Sequence, residues 1–130
     1  MPDQPRGTLC EGWWQQVGYG RQSMRDLYLE FSGGQINGSG RDIVGKFFFR
    51  GTMDAAGHVM MKKQYVGLWD VDYAGTYDGE GLLFGHWRIG ALTDQWLIRL
   101  KPHSRVQIIS DKTAALMETV NSEFGDQRNG

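Results

Sequence analysis

Residues 58–76 read His58-Val-Met-Met-Lys-Lys-Gln-Tyr65, Val66-Gly-Leu68 and Trp69-Asp-Val-Asp-Tyr-Ala-Gly-Thr76, which is two β-type segments separated by a short glycine turn. Alternate side chains of the first segment share one face: Val59, Met61, Lys63 and Tyr65. The second segment repeats the pattern with Trp69, Val71 and Tyr73. Because successive side chains of a strand point to opposite faces, this stretch predicts an antiparallel hairpin with one largely apolar face.

The same alternation recurs along most of the chain. Glycine-containing turns separate the segments at intervals of about 8–12 residues, the spacing typical of antiparallel sandwiches and barrels. The predicted strands are 12–19, 24–31, 35–40, 44–51, 58–65, 69–76, 82–89 and 95–101. We therefore predict an all-β fold, an up-and-down antiparallel barrel of about eight strands, in which closure removes the exposed edges of an open sheet.

The chain divides into three parts by composition. Residues 1–11 form a polar N-terminal arm, residues 12–102 the β-barrel, and residues 103–130 a C-terminal α-helix and tail. The helix is predicted over 111–123, where Ser110 or Asp111 is a suitable N-cap and apolar residues recur at helical spacing. That apolar stripe comprises Leu116, Met117, Val120 and Phe124.

Composition limits the classes of partner. The net charge is −1, and nucleic-acid recognition needs a basic stripe, so we expect no nucleic-acid partner. The three histidines lack zinc-ligand spacing and Cys10 is the single cysteine, so we expect no metal, no cofactor and no internal disulfide. No apolar run approaches the length that spans a membrane, and the first residues lack a signal-peptide core, so we expect a cytoplasmic protein with no membrane partner.

Lys63 is the unusual residue of the inward face. A buried lysine must pair with an acid or lose its proton. Alternatively, it lies near the strand end and extends to solvent, or a one-residue bulge turns it outward. The functional hypothesis is that Lys63 anchors an anionic ligand at the barrel mouth, beside Tyr65 and Asp42. For Asp42, in the glycine-rich loop 38–45, the alternative is that it bonds local backbone amides in a β-turn.

The chain is also rich in tryptophan: Trp13, Trp14, Trp69, Trp87 and Trp96. Small barrels fill their interior with side chains, and large rings serve that purpose. Alternatively, several rings line a cavity for a flat or apolar ligand. We favour a filled or nearly filled interior. If a cavity exists, Trp14, Tyr73 and Trp87 are candidate ligand-binding residues in addition to Asp42, Lys63 and Tyr65.

Several apolar side chains are predicted to point outward. Phe48 and Met60 do so on neighbouring strands, and Leu82, Phe84 and Leu97 do so on another part of the wall. Clustered exposed apolar residues mark interfaces. We expect the C-terminal helix to cover one patch and a second copy of the chain to cover the other, as a homodimer. A separate protein partner is the alternative.

Three short segments resemble a known family. The stretches Tyr73-Ala-Gly-Thr-Tyr77, Phe84-Gly-His-Trp-Arg-Ile89 and Gln95-Trp-Leu-Ile98 are similar to the hairpins that close an avidin-like barrel, and Gly12 with Trp14 resembles the Gly-x-Trp that opens such a barrel. The resemblance is to the calycin barrels, the lipocalin and avidin-like folds, and it implies a small antiparallel barrel. The polar cluster that recognises biotin in avidins has no match in this chain, so the resemblance implies architecture only.

These patterns favour a binding or interaction domain over an enzyme. No nucleophile–base pair, metal set or cofactor loop can be assembled from the residues present. The expected ligand is a small apolar or aromatic molecule at the barrel mouth. One alternative is a barrel enzyme with a sparse polar site, of cyclase or isomerase type, that uses Asp42, Lys63 and Tyr65. Another is a protein–protein interaction module with a filled barrel.

Overall fold

The computed structural model describes residues 6–101, which form a closed antiparallel barrel. Its strands are β1 (Arg6–Gln16), β2 (Gly20–Ser32), β3 (Gln35–Arg41), β4 (Lys46–Met53), β5 (His58–Tyr65), β6 (Asp70–Tyr77), β7 (Leu82–Ile89) and β8 (Leu92–Leu100). Each strand pairs with its neighbour in sequence, and β8 pairs with β1. The predicted eight-stranded antiparallel barrel is confirmed. The predicted helix over 111–123 lies outside the described residues.

Strand β1 begins earlier than the sequence indicated. Residues 6–11, assigned above to a polar arm, belong to the barrel wall, where Thr8 pairs with Leu29 of β2 and Cys10 pairs with both Leu27 of β2 and Leu100 of β8. Hydrogen bonding to two neighbouring strands stabilises this short, weakly patterned run as a strand, and that pairing closes the barrel.

Inward alternation holds along most strands, with one interruption in β2. Met24 and Leu27 are both buried although they are three residues apart. The register shifts between Arg25 and Tyr28, and Asp26 has a φ of 52°, which marks a bulge that inserts an extra residue. The bulge lets both apolar side chains reach the core. Trp69, predicted to face inward, lies instead in the β5–β6 turn and is exposed.

Two facing glycines allow strands β6 and β7 to approach closely. Gly75 of β6 lies opposite Gly85 of β7, and Gly85 lies opposite Trp96 of β8. A Cβ added to Gly75 would collide with the carbonyl oxygen of Phe84, and one added to Gly85 with that of Ala74. The two backbones therefore approach as only glycine permits.

The two ends of the barrel differ in their turns. We call the end with the β1–β2, β3–β4, β5–β6 and β7–β8 turns the mouth, and the end with the other three turns the base. Carboxylates close two of the three base turns: Asp54 accepts the amides of Ala56 and His58, and Asp78 accepts that of Glu80. Fully buried aliphatic and aromatic side chains fill the base half: Leu29, Ile36, Phe49, Val59, Leu83 and Ile98.

Within residues 6–101 there is no helix with the length and hydrophobicity required to cross a bilayer.

Candidate functional site

Asp42 is a turn residue whose carboxylate lies inside the barrel. It follows β3 directly, its side chain is completely buried, and its backbone N–H donates to the carbonyl of Gly45 over 3.0 Å. Carboxylate oxygen Oδ1 accepts the backbone N–H of Val44 at 2.9 Å and, at a longer 3.4 Å, that of Gly45. The turn thus satisfies one carboxylate oxygen locally and directs the other into the barrel.

The second oxygen, Oδ2, connects the turn to two strands. Lys63 Nζ and the Tyr65 hydroxyl, both from β5, each donate to it over 2.7 Å, and Trp14 Nε1 from β1 donates over 3.0 Å. Hydrogen bonds to an ionised acceptor are shorter and stronger than those between neutral groups. One carboxylate therefore holds β1, β5 and the β3–β4 turn together at the mouth. We call Asp42, Lys63, Tyr65, Tyr73 and Trp14 the polar hub.

Lys63 faces inward and is paired. Its side chain is 1% exposed, and besides Asp42 its ammonium donates to the Tyr73 hydroxyl over 3.2 Å. The same nitrogen lies 4.3 Å from the ring centroid of Phe47 and 4.8 Å from that of Tyr65. Aromatic faces attract a cation, and more strongly when water is excluded. The structure therefore contradicts both alternatives that placed Lys63 in solvent.

The ionisation of the polar hub follows from the balance between burial and pairing. Burial raises the pKa of Asp42, but the Lys63 ammonium and the hydrogen bonds from Lys63, Tyr65 and Val44 outweigh it and hold the pKa below its ordinary value. Burial lowers the pKa of Lys63 to about 8, and the ion pair with Asp42 limits that shift. Burial and the charge of Asp42 raise the pKa of Tyr73 well above its usual range, so its hydroxyl keeps its proton.

A cavity of about 220 Å³ opens at the mouth, above the polar hub. Its walls are almost entirely apolar and aromatic: Trp14, Gln16, Val44, Tyr65, Trp69, Val71, Tyr73, Trp87, Ile89 and Leu92. Trp14 and Trp87 meet edge to face with centroids 6.2 Å apart, and Trp87 Nε1 donates to the carbonyl of Gln15 over 2.8 Å. The ring positions are thus fixed by packing and hydrogen bonds. The interior is filled at the base and hollow at the mouth.

The structure brings all six sequence-predicted ligand-binding residues to the mouth half of the barrel. Trp14, Tyr65, Tyr73 and Trp87 line the cavity. Asp42 and Lys63 do not line it; they contact the hydroxyls of the lining tyrosines from behind. Sequence reasoning missed the other six lining residues: Gln16, Val44, Trp69, Val71, Ile89 and Leu92. Inward alternation placed Val71 and Ile89 in the core, but no sequence signal showed that this end would be hollow.

The interior holds more hydrogen-bond donors than acceptors. Tyr73 accepts from Lys63, and within residues 6–101 its own O–H has no acceptor. Trp96 Nε1 is buried with no hydrogen-bond partner in that part of the chain, and its ring lies 5.1 Å from that of Tyr73. Buried polar groups in native structures nearly always have partners. An acceptor atom from a bound molecule or water would satisfy this surplus.

Comparison with protein-family models, with curated proteins and with solved structures gave no match. The site is therefore interpreted from its own chemistry. Asp42 accepts five hydrogen bonds, one of them from the Lys63 ammonium, which leaves little capacity to bind a metal ion. Burial raises the pKa of Cys10 to about 12, which disfavours the nucleophilic thiolate form at neutral pH.

The outer wall carries one continuous apolar patch and one interrupted one. Phe84 lies opposite Leu97, which lies opposite Trp13 of β1, and Leu82 is two residues from Phe84. We call Trp13, Leu82, Phe84 and Leu97 the wall patch. By contrast, Phe48 and Met60 are not adjacent. Phe48 pairs with Gln64 and Met60 with Thr52, and the cationic pair Arg50 and Lys62 lies between them. The strand register therefore contradicts a single Phe48–Met60 patch.

The polar hub predicts a large difference between two adjacent lysines. We expect Lys63→Met to lower the free energy of unfolding by about 3–5 kcal/mol, because it leaves the Asp42 charge buried without its cation. Lys62→Met, on the exposed face of β5, removes only a surface ion pair with Asp72 and is expected to change it by about 0.5 kcal/mol or less. Urea unfolding measures both. Equal effects would contradict the buried pairing.

Proposed function

We propose that this barrel binds one small, flat and largely apolar molecule in the mouth cavity. The cavity is the observation that carries the proposal, because it is lined by aromatic rings and opens to solvent within an otherwise filled barrel. An apolar cavity of about 150 Å³ accommodates benzene. A volume of about 220 Å³ therefore suits a molecule of roughly two fused rings.

The hydrogen-bond donors that lack an acceptor inside the barrel indicate that the ligand carries an acceptor atom. Tyr73 lines the cavity, and its hydroxyl hydrogen is free to donate within the described part of the chain. The opposite charges of Asp42 and Lys63 cancel locally, so a neutral acceptor suits the site better than an anion. We infer a ligand that carries a carbonyl or similar oxygen, and not the anionic ligand expected from Lys63 alone.

A binding role is better supported than catalysis. Asp42 is engaged by five donors and Lys63 by an acid and a hydroxyl, and neither lines the cavity. A general acid or base must come within hydrogen-bond reach of the reacting group. The barrel enzyme is accordingly the less favoured alternative. We also propose a calycin-like relationship, which the eight-stranded up-and-down architecture supports.

Matched ligands test this function. We expect 1-tetralone, a bicyclic ketone, to bind about 3–10-fold more tightly than tetralin, which lacks the oxygen, because a net hydrogen bond contributes about 0.5–1.5 kcal/mol. Tyr73→Phe should remove this difference and leave tetralin binding unchanged. Tyr77→Phe is the control, because Tyr77 lies on the same strand and its hydroxyl accepts the Gly81 amide near the base. Quenching of tryptophan fluorescence reports occupancy.

Different results would contradict binding in the cavity and selection of an acceptor oxygen by Tyr73. If neither compound binds, the mouth cavity is not a site for apolar molecules of this size. If both bind with equal affinity to the unmodified chain, the cavity binds ligands but Tyr73 does not select an acceptor oxygen.

We further propose that the wall patch joins two copies of the chain. Its side chains form an apolar row across β7, β8 and β1. Phe84 is exposed and Trp13, Leu82 and Leu97 are half-buried, and a cluster of apolar side chains at the surface marks interfaces. A two-fold arrangement is the commonest way to bury such a patch against itself. A separate protein partner for the same surface is the alternative.

Placing a charged residue inside or outside the wall patch tests whether that patch forms the dimer interface. We expect Phe84→Glu to dissociate the dimer, because it places a carboxylate in the centre of the wall patch, while Phe48→Glu, outside it, leaves the dimer intact. Both residues are exposed, so the β-type circular dichroism should be unchanged. Light scattering at tens of micromolar measures the mass. A value near 14.7 kDa for the unmodified chain would exclude the homodimer and favour a separate partner.

A further inference from the structure

The turns at the mouth expose large apolar side chains at their tips. We call this set the mouth rim: Val17, Tyr19, Ile43, Val66, Leu68 and Trp69. Exposure of these side chains ranges from 48% for Trp69 to 86% for Val17. They come from the β1–β2, β3–β4 and β5–β6 turns, and the exposed Leu92 follows the β7–β8 turn. Three of the four mouth turns, and the first residue of the strand after the fourth, therefore present large apolar side chains to solvent.

The base turns have the opposite character. Their residues are Gly33-Gly34, Asp54-Ala-Ala-Gly57 and Asp78-Gly-Glu-Gly81, which include three acids and no large apolar side chain. Hydrophilic turns are what a solvent-exposed barrel end requires, and the base meets that requirement. The concentration of exposed apolar residues at the mouth is therefore a property of that end and not of the turns in general.

The mouth also carries more positive than negative charge. Four cations lie within two residues of the mouth turns, namely Arg21, Arg41, Lys46 and Arg88, against one exposed anion, Asp70. Arg41 also forms an ion pair with Asp26 on the outer wall. These cations lie at the strand ends that flank the turns, and the apolar side chains lie at the tips of the turns. A partner with an anionic outer layer above an apolar interior would match both features.

We propose that the mouth rim inserts into the surface of a lipid bilayer that contains anionic lipids. The apolar tips would enter the headgroup–acyl boundary, and the cations behind them would contact anionic headgroups. Trp69 and Tyr19 suit this depth, because their rings combine an apolar body with a polar tip. A fluid apolar phase accepts projecting side chains without a matched concave partner, which a protein interface would need.

This inference stands on the exposure and charge of the turns and does not require that the cavity bind a ligand. It departs from the expectation of no membrane partner, which considered only continuous apolar runs long enough to span a bilayer. The rim residues are distributed over separate turns, at most three to a turn, so they form no such run. Strand pairing in the folded barrel brings these turns together at one end.

Vesicle flotation of the full chain, without ligand, tests the proposal. We expect the unmodified protein to float with vesicles of phosphatidylcholine and phosphatidylglycerol, less with phosphatidylcholine alone, and less again at high salt. The variant Ile43→Ser with Leu68→Ser should lose affinity on the order of tenfold or more, because two apolar side chains no longer insert. The control Leu9→Ser with Met60→Ser removes two apolar side chains of comparable exposure from the wall and should float normally.

Other outcomes overturn the proposal. It is wrong if the unmodified protein floats with neither vesicle type, or if the rim variant floats as well as the unmodified chain. It is also wrong if flotation is lost equally in the control variant, because then apolar surface in general is responsible. If light scattering shows that the rim variant alone dissociates a dimer in the absence of vesicles, the rim is a contact between copies.

Discussion

The mouth half of this barrel depends on a negative charge placed where water does not reach. A carboxylate inside a barrel is strongly unfavourable unless its oxygens are paired and hydrogen-bonded. Asp42 meets this condition with donors from its own turn, from β1 and from β5. The requirement constrains the backbone of the β3–β4 turn, the side chain of Lys63 and the ring orientations of Trp14 and Tyr65 at once.

The polar hub also explains why the barrel is hollow at one end. At the base, aliphatic side chains and Phe49 meet across the interior and fill it. At the mouth, the hydrogen bonds of Trp14, Tyr65 and Tyr73 hold their rings toward the hub, so these rings form walls and a floor instead of closing on one another. The exposed apolar turns surround the resulting opening, which links the cavity and the mouth rim in one surface.

Much of the fold follows from alternation in the sequence. The pattern Val59, Met61, Lys63, Tyr65 placed an inward lysine next to an inward tyrosine, and the structure agrees. The pairing of Lys63 with Asp42 was one of several alternatives, because a turn aspartate ordinarily faces solvent. The β4–β5 pairing puts the β3–β4 turn beside the end of β5, but no local pattern shows that the Asp42 side chain turns inward. Its third partner, Trp14 of β1, comes near only when the barrel closes.

Strand register accounts for most of what the sequence could not predict. Phe48 and Met60 lie on adjacent strands, but their distance depends on which residues pair, and the register puts Gln64 opposite Phe48. The start of β1 at Arg6 depends likewise on partners in β2 and β8. The bulge at Asp26 shifts the alternation of β2 without a glycine to signal it.

The most direct measurement of this account is the pKa of the Asp42 carboxyl, followed by carbon NMR as the pH is lowered. If the polar hub is as described, the pKa lies below the ordinary value of about 3.9, and it rises in Lys63→Met. Because the folded state then binds this proton less tightly than the unfolded chain, the free energy of unfolding falls as pH decreases from about 4 towards the folded-state pKa. A pKa above the ordinary value, unchanged in Lys63→Met, would contradict the account, since burial alone would then control the carboxyl group.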